Sequence, residues 1–561
     1  MPSEDTYKWT ALSNTTLGIF MAMLNGSIVI VSLPAIFRGI GLDPLNAGNI
    51  NYLLWVLMGY LVCMAVLVVT FGRLGDMYGR ARMYNLGFAI FTLASIALAL
   101  TPWSGTMAAL YLIAMRIVQG VGGALLMANS TAILTDAFPP EHRGFAMGIN
   151  QVAGIAGSFL GLIVGGLLAV IDWRLIFWIN VPIGLFGTAW AYLKLRDRGA
   201  RHTERTDWRG NIAFAAGLIL LLIGITYGIQ PYGASVMGWM NPFVLGALVL
   251  GVALLALFAY LEFGKVQPMF DLRLFGIRAF TAGNLAGLLS AIGRGGLQFM
   301  LIIWLQGIWL PLHGYSFEST PLWAGIYMLP LTVGFLVAGP VSGWLSDRYG
   351  AKYFSTGGML MGAVAFALLM LLPVDFSYWP FALILFVSGV GSGLFSAPNT
   401  TAIMNSVPAR DRGQASGMRA TFQNSGQVLS IGLFFSLMII GLSGALPQAI
   451  YSGLATQGVP SAMAETIAAA PPVASLFAAF LGYNPMKQLI PASTLDALPQ
   501  SSASELTGTR FFPHLISAPF KRGLDLTFII SIIAYVVAAA ASWLRGGRYI
   551  IEEAPVRQAG T

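Results

Sequence analysis

Side chains that could do chemistry are few in this chain, and the most informative pair lies inside an apolar run. Arg116 and Gln119 are three residues apart, a spacing that puts both on one face of a helix, within the apolar stretch 106–137. An arginine near the centre of a bilayer costs about 2.5 to 3.5 kcal/mol on insertion scales unless it faces protein or water. We therefore predict a cavity or coupling role for Arg116, with a purely structural hydrogen-bonding role as the alternative.

Three further charged residues lie in or beside apolar runs. Arg294 stands among glycines in the run 280–308, and both a cavity role and a packing role are open for it. Arg419 is close to the end of its run, so we expect its long side chain to reach back to the membrane surface. Glu262 lies three residues before Lys265, which predicts an ion pair at the membrane interface.

Residue patterns typical of enzymes are missing. The chain has one cysteine, Cys63, inside an apolar run, and its four histidines fall in connections between runs. Neither a Walker-type phosphate loop nor a catalytic triad or metal-ligand spacing is present. We therefore expect a protein that is not an enzyme and that needs no metal or cofactor.

The elements that must hold these side chains are membrane helices. Of 561 residues, 57% are apolar and only 9% are charged, with a mean hydropathy of +0.75, which excludes an ordinary soluble domain. Runs of about 20 apolar residues are long enough to cross a bilayer as helices. We predict fourteen such spans, within residues 12–36, 50–71, 84–101, 106–137, 145–170, 173–195, 211–229, 242–263, 280–308, 323–346, 354–372, 379–406, 415–441 and 525–545.

The net charge of +8 is distributed as a topology signal. Basic residues fall in every second connection, whereas the opposite connections hold few, mainly Arg38 and Arg174. Basic connections remain in the cytoplasm, so we predict a multi-pass protein of the cell membrane with both termini cytoplasmic. The lipid bilayer, rather than nucleic acid, is the partner that this charge indicates.

Two internal sequence repeats indicate a duplicated architecture. The loop from Gly72 to Arg80 is repeated in outline from Gly343 to Gly350, and a later motif at 139–148 returns at 408–417. We predict an all-α membrane fold with an N-terminal six-helix bundle in 1–195, a cytoplasmic connector with two extra helices in 196–279, and a C-terminal six-helix bundle in 280–561. Glycines should allow tight turns and close packing in the loop, and Asp76 should cap a helix or hold the loop against one.

A long connection, 442–524, is predicted on the external side. It is rich in proline, and its apolar stretch 473–481 is too short to span the membrane. One interpretation is a variable, partly helical loop. The other is an external flap or lipid-contacting element near the exit of a transport pathway.

These motifs resemble the major facilitator superfamily. The loop at 72–80, the stretch from Arg116 to Gly123, the glycines of the fifth run, and residues 173–184 together look like the fourteen-span drug:proton antiporters of the EmrB/QacA type. The resemblance implies two bundles that rock about a central cavity, and efflux of hydrophobic compounds driven by proton entry. It implies conformational or gating roles for Gly72, Asp76, Gly79, Arg80, Asp136, Gly157, Gly161, Gly165, Asp347, Arg348 and Gly350.

The glycines of the fifth run recur every four residues and therefore share one helix face. A neighbouring helix can approach such a face closely. Static tight packing and a hinge role are both open from the sequence alone.

Two departures from the family pattern concern the mechanism. Asn25 stands where the family usually has aspartate, and Leu162 stands where a proline is expected after Gly161. Asparagine cannot titrate, and no carboxylate lies near the centre of any predicted span. Protons remain the expected coupling partner, but the sequence does not identify the group that carries them.

The predicted cavity combines amide, aromatic and basic groups. Such a cavity offers stacking surface and adaptable hydrogen bonds without a central acid, so we expect a small hydrophobic substrate that is neutral or anionic, handled by a monomer. Two alternatives stay open: a symporter that imports an anionic solute, and a non-transporting lipid-handling or envelope-assembly partner that acts through the external loop. The cavity residues are Asn25, Trp55, Arg116, Gln119, Gln151, Arg294, Gln298, Tyr327, Asn399 and Gln423.

Overall fold

The computed structural model describes residues 4–42, 49–197, 208–233, 235–263, 265, 268, 270–408, 412–482 and 484–546. Within a few helices it gives the backbone only, so nothing is said of the side chains of 4, 5, 50, 140–145, 347, 412, 413 and 480. The described chain is helical throughout. Fourteen of its helices are long and apolar enough to cross a membrane, as the sequence predicts.

The first eight spans run from the N-terminus to the middle of the chain. Their bounds are α1 Glu4–Ile40, α2 Ile50–Tyr78, α3 Arg80–Ala99, α4 Gly105–Ala137, α5 Pro140–Ile171, α6 in two segments (Leu175–Trp178 and Asn180–Lys194), α7 Trp208–Gly228 and α8 Pro242–Glu262.

The remaining chain holds six more spans and a group of short helices. The bounds are α9 Arg278–Trp304, continued by a π-helical turn Leu305–Trp309 and Leu310–Leu312; α10 in two segments, Thr320–Tyr327 and Leu329–Tyr349; α11 Ala351–Leu371; α12 Tyr378–Asn405; α13 Arg412–Ser443; six short helices, α14 Leu446–Thr456, α15 Ser461–Ala468, α16 Pro472–Phe480, α17 Met486–Leu489, α18 Ala492–Ala497 and α19 Gln500–Thr507; and α20 Phe511–Trp543.

We call the end of the helices that carries the loops at 72–80 and 343–350 the basic face. The opposite end carries α14–α19, and we call it the cap face. These names describe the two membrane surfaces of the protein without assigning either to a compartment.

Close backbone packing joins α1 and α5 in the N-terminal bundle. A Cβ atom added at Gly157 would lie 2.5 Å from the carbonyl oxygen of Phe20, and one at Gly161 would lie 2.5 Å from that of Leu24. Gly165 meets Ile28 in the same way, at 2.8 Å. Glycine is required along this face because any side chain would push the two helices apart.

The extra helices α7 and α8 form a hairpin attached to α2. Thr70 donates a hydrogen bond to Asn211 (2.8 Å) near the basic face, and Asn51 donates one to Gln230 (3.0 Å) near the cap face. A methyl group at Gly432 of α13 would collide with Ile225 of α7. The hairpin therefore packs beside α2 and α13, one helix from each bundle.

The last span begins at Phe511, well before the expected start at 525. Pro513 and Pro519, which the sequence reading placed in the loop, lie within this helix. Pro513 falls in the first turn, where the missing N–H costs nothing. The connection at the cap face is correspondingly shorter than predicted.

Candidate functional site

Arg116 occupies the interior of the N-terminal bundle. Its side chain is 0% exposed, and its Nη1 donates to Gln119 Oε1 at 2.7 Å while its Nε donates to the carbonyl of Val56 at 3.2 Å. The guanidinium lies 4.4 Å from the centre of the Tyr60 ring, within range of a cation–π interaction. Protein groups rather than lipid therefore surround this cation.

Gln119 links Arg116 to a set of neutral side chains. Its Oε1 also accepts from Asn25 Nδ2 (3.0 Å), and its own Nε2 donates to Ser95 Oγ (2.8 Å). Asn180 Nδ2 donates to Asn25 Oδ1 at 3.3 Å. The polar cluster thus brings α1, α3, α4 and α6 together at one point.

The charge of Arg116 has no carboxylate partner among the described residues. Its Nη2 is buried without a hydrogen bond, although the other two guanidinium nitrogens are bonded. A buried cation without an opposite charge costs several kcal/mol, which amides and the Tyr60 ring offset only in part. The N-terminal bundle therefore holds a site that would favour negative charge.

The sequence-predicted cavity residues fall into two clusters and five separate positions. Asn25, Arg116 and Gln119 form the cluster just described, which is closed rather than open to a cavity. Asn399 and Gln423 line a cavity of about 20 Å³ in the C-terminal bundle, enough for about one water molecule. The five residues that the structure leaves outside these clusters are Trp55, Gln151, Arg294, Gln298 and Tyr327.

Of these five, Arg294 and Gln298 share a helix face. They follow Gly287 and Ala291 by seven residues each, so all four lie on one side of α9. Gly287 lines the small cavity closer to the basic face, whereas Arg294 is exposed. Between them, Ala291 is buried beside Gly426 of α13.

Tyr327 belongs instead to an aromatic cluster near the cap face. Its hydroxyl lies 2.8 Å from that of Tyr315, and its ring centre is 4.6 Å from Tyr378 and 5.7 Å from Trp323. Trp55 is half-buried near the cap face on α2, and Gln151 is exposed on α5. The structure does not bring these residues into contact with Arg116.

Ion pairs between side chains connect the loop at 72–80 to three helices. Arg80, the first residue of α3, pairs with Asp76 of α2 (2.7 Å) and with Asp136 of α4 (2.6 Å). Gly79 has φ of +107°, and Gly350 in the repeated loop has +88°, so both turns require glycine. Gly72 in contrast has open space beside it, which contradicts the expectation of close packing there.

The prediction that Asp76 caps a helix is wrong. Asp76 lies in the last turn of α2, and the N-terminus of α3 is capped by Asp197, whose carboxylate accepts from the backbone N–H of Ala81 at 2.7 Å. A Cβ atom at Gly79 would lie 2.3 Å from this carboxylate. The expected contact between loop and helix is present, through Arg80.

The repeated loop in the C-terminal bundle has a different chemistry. Arg348 lies 5.7 Å from the ring centre of its neighbour Tyr349, and Ala351 stands where the first loop has Arg80. The side chain of Asp347 lies outside the described residues. Its predicted gating role therefore stays a prediction.

Two other predictions for charged residues have different outcomes. Glu262 pairs with Lys265 at 3.3 Å, as predicted. Its carboxylate also accepts a hydrogen bond from the backbone N–H of Phe270. Arg419 does not extend to the surface, because its Nη1 donates to Gln423 (3.1 Å) and Thr400 (3.4 Å) inside the bundle. Helix-end position alone could not show that polar partners lie on the neighbouring turn.

Contacts between the bundles occur near both membrane surfaces. At the cap face, a Cβ atom on Gly166 of α5 would lie 2.5 Å from the Cα of Leu322 on α10, and one on Gly325 would lie 2.9 Å from the carbonyl of Leu162. At the basic face, the carbonyl of Pro268 accepts from Arg73 and from Gln414 (2.9 Å). No motif in the sequence indicates that this proline carbonyl joins the two bundles.

A cleft of about 490 Å³ opens at the cap face beside α1 and α5. Its charged lining consists of Arg38, Asp172, Arg174 and Glu318. Arg38 also donates to the carbonyl of Leu481, in the segment that follows α16 (3.3 Å). The short helices of the cap face therefore reach across to the N-terminal bundle.

Comparison with known proteins identifies the family. The sequence model of the Major Facilitator Superfamily matches residues 15–431. The chain belongs to the major facilitator superfamily. It is thus a multi-pass membrane transporter that handles small molecules.

Relatives within this superfamily cover most of the chain. The riboflavin transporter RibZ of Clostridioides difficile is 29% identical over 78% of this chain and 89% of its own length. The tetracenomycin C resistance and export protein of Streptomyces glaucescens is 28% identical over 96% of this chain and 91% of its own. In fold, the chain resembles an inward-facing bacterial homologue of the human lysosomal transporter Spinster, with a TM-score of 0.56, 16% identity, and coverage of 96% and 97% of the two chains.

Proposed function

We propose that this transporter exports hydrophobic or amphiphilic compounds from the cell, with proton entry as the driving force, as an antiporter of the EmrB/QacA type. The fourteen spans support this type, and a relative that matches 96% of the chain is named as a resistance and export protein. We place it in the plasma membrane with both termini and the basic face in the cytoplasm.

The uncompensated charge of Arg116 carries the substrate part of the proposal. A site selective for lipophilic cations needs a buried acid, whereas this polar cluster has one arginine and neutral amides. Arg294, exposed on α9, adds a second positive charge on the other bundle. We therefore propose a neutral or anionic amphiphile as substrate.

Alternating access would use the contacts between the bundles in turn. Opening toward the cap face separates Gly166 from Leu322, and opening toward the basic face breaks the bonds of Arg73 and Gln414 to Pro268. Described acids lie near both contacts: Asp172 and Glu318 at the cap face, and Asp76, Asp136 and Glu262 at the basic face. We assign the coupling proton to this group of acids, since Asn25 cannot carry one.

The transport direction separates export from the alternative of anion import. Everted and right-side-out membrane vesicles are energised and supplied with either an anionic fluorescein derivative or cationic ethidium. We expect uptake of the anionic dye into everted vesicles only, lost in Arg116→Ala and kept in the control Arg273→Ala, an exposed arginine at the basic face.

Uptake of the anionic dye into right-side-out vesicles would instead favour the symporter. Ethidium transport that Arg116→Ala abolishes and that anionic compounds do not compete would refute the proposed substrate charge.

A further inference from the structure

A second cationic cluster lies in the C-terminal bundle, near the basic face. It surrounds the cavity of about 20 Å³ between α9, α12 and α13, which is lined by polar groups including Asn284, Ser396, Asn399 and Thr400. None of the described lining residues is acidic. The cavity is large enough for one water-sized species.

Arg419 forms one charged wall of this cavity. Its Nη1 is bonded to Thr400 and Gln423, but its Nε is buried without a partner. The guanidinium is therefore held in place by two neutral acceptors that leave its charge uncompensated.

Arg545 does not line the cavity itself, but it contacts Asn399, which does. It follows the last span, yet it is only 3% exposed, and its Nη2 donates to Asn399 Oδ1 while Asn399 Nδ2 donates to the carbonyl of Gly283 (3.1 Å). Its Nε and Nη1 are buried and have no partner among the described residues. Burial lowers the pKa of Arg545 to about 10, so the side chain remains charged at neutral pH.

Arg419 lines the cavity beside Thr400, and Arg545 bonds Asn399 next to it; together they hold three buried N–H-bearing nitrogens with no acceptor in the described part of the chain. Burying a cation costs several kcal/mol, and unmade hydrogen bonds add to the penalty. An anion would remove both costs, because it accepts charge-assisted hydrogen bonds from arginine. Snorkelling to lipid phosphate does not explain Arg545, since the side chain is buried in protein.

We propose that this cluster, formed by Arg419, Arg545 and the amide of Asn399, is a binding site for one small anion. The cavity has room for a halide ion or for one oxygen atom of a carboxylate group. These two sources are inorganic chloride and the carboxylate of an amphiphilic substrate. The site does not depend on the proposed export, because binding can be measured without transport.

The first test measures the thermal stability of the purified full-length protein in detergent micelles. Chloride is titrated against methanesulfonate at constant ionic strength, because this bulkier anion carries no carboxylate, with tryptophan fluorescence as the readout. We expect chloride to raise the melting temperature of the wild type, by an amount that Arg545→Gln and Arg419→Gln reduce to near zero. The exposed control Arg273→Gln should keep the full chloride effect.

A variant with its own carboxylate supplies a counterion for the arginines. Asn399→Asp places this carboxylate beside Arg545 but loses the hydrogen bond that the amide donates to Gly283, so the readout is its response to chloride rather than its absolute melting temperature. Its response to chloride should disappear. This variant keeps the test decisive even where an arginine variant does not fold.

Competition then distinguishes the two sources. A carboxylate-bearing amphiphile that removes the chloride effect in the wild type identifies the site as part of the substrate path. Failure to compete identifies a site for inorganic anions alone. A wild type with equal stability in chloride, methanesulfonate and the amphiphile, or an Asn399→Asp protein that still responds to chloride, would overturn the proposal.

Discussion

At the scale of single residues, this transporter stands out by what surrounds its buried arginine. Arg116 contacts the amide of Gln119, the ring of Tyr60 and the carbonyl of Val56, but no described carboxylate. The sequence predicted that Arg116 and Gln119 share one helix face, and it shows that residue 25 is a neutral asparagine. It could not predict Tyr60 or Ser95 as partners, because contacts between helices depend on how each helix is rotated.

A carboxylate at position 25 should change the charge preference of the transporter. Asn25→Asp places a carboxylate beside Gln119, which itself accepts a hydrogen bond from Arg116. Compensating the arginine should raise the ratio of cationic to anionic dye transport by about tenfold, which corresponds to about 1.4 kcal/mol. Dye fluxes in vesicles give this ratio.

The control for this prediction is Asn241→Asp, whose carboxylate can still accept from the N–H of Phe243. An unchanged ratio in a correctly folded Asn25→Asp protein would mean that the charge of the N-terminal cluster does not select the substrate.

Asp197 is the second residue whose role became visible only in the structure. Asp197→Ala removes the cap from α3, and loss of an N-terminal cap costs about 1 kcal/mol. We expect a lower midpoint in chemical unfolding of the purified protein. The control is Asp496→Ala at an exposed position in α18, which should leave the midpoint unchanged. Equal effects of the two substitutions would show that Asp197 does not stabilise α3 as a cap.

At the scale of elements, hydrophobic run length was sufficient to predict all fourteen spans. The α5 glycine spacing also predicted one tightly packed face, and the structure shows α1 against it. What the pattern could not show is that Gly166, one position further, contacts the other bundle. The sequence pattern does not distinguish Gly165 from Gly166, whereas the two residues point in directions about 100° apart around the helix axis.

Gly166 should control how closely the bundles approach at the cap face. A methyl group in Gly166→Ala would meet the backbone of Leu322 at 2.5 Å, so the bundles must separate. A cysteine at Gln306, in a Cys63→Ser background, reports on this region because Gln306 is buried and donates to Val31 across the bundles (3.5 Å).

We expect a membrane-impermeant maleimide to label this cysteine several-fold faster in Gly166→Ala. Gly148→Ala is the matched control, because a methyl group there, on the same helix, meets no neighbour. Equal labelling rates in both variants would show that the cap-face contact does not hold the bundles together.

At the scale of the whole molecule, the segment between α13 and α20 is more ordered than its prolines suggest. Prolines begin its short helices instead of preventing them, because the first turn needs no N–H. The stretch 473–479 is buried, and Phe477 stacks on Phe435 of α13 at 5.2 Å. Its helix and α15 are together apolar enough to span a membrane, with a bend of 85° between them, so the expectation that this stretch does not span stays a prediction. Single-sequence reasoning misses such docking because burial here comes from tertiary contacts.

Removing the cap-face helices tests whether they are the functional part. Replacing 447–510 by a short glycine-serine linker exposes Phe435 and the π-helical turn of α9, so stability should fall. We expect transport of the anionic dye to persist in the fraction that folds. Loss of the cellular phenotype with transport intact would support the envelope-assembly alternative instead.

The central claim is that proton movement drives export of a neutral or anionic amphiphile. Substrate-dependent proton flux in proteoliposomes tests it most directly, with a pH-sensitive dye in the lumen and the wild type compared with Arg116→Ala and Asn25→Asp. We expect a lumenal pH change that follows addition of the anionic substrate in the wild type and that is lost in Arg116→Ala. Transport of that substrate by the wild type with no pH change would contradict proton coupling.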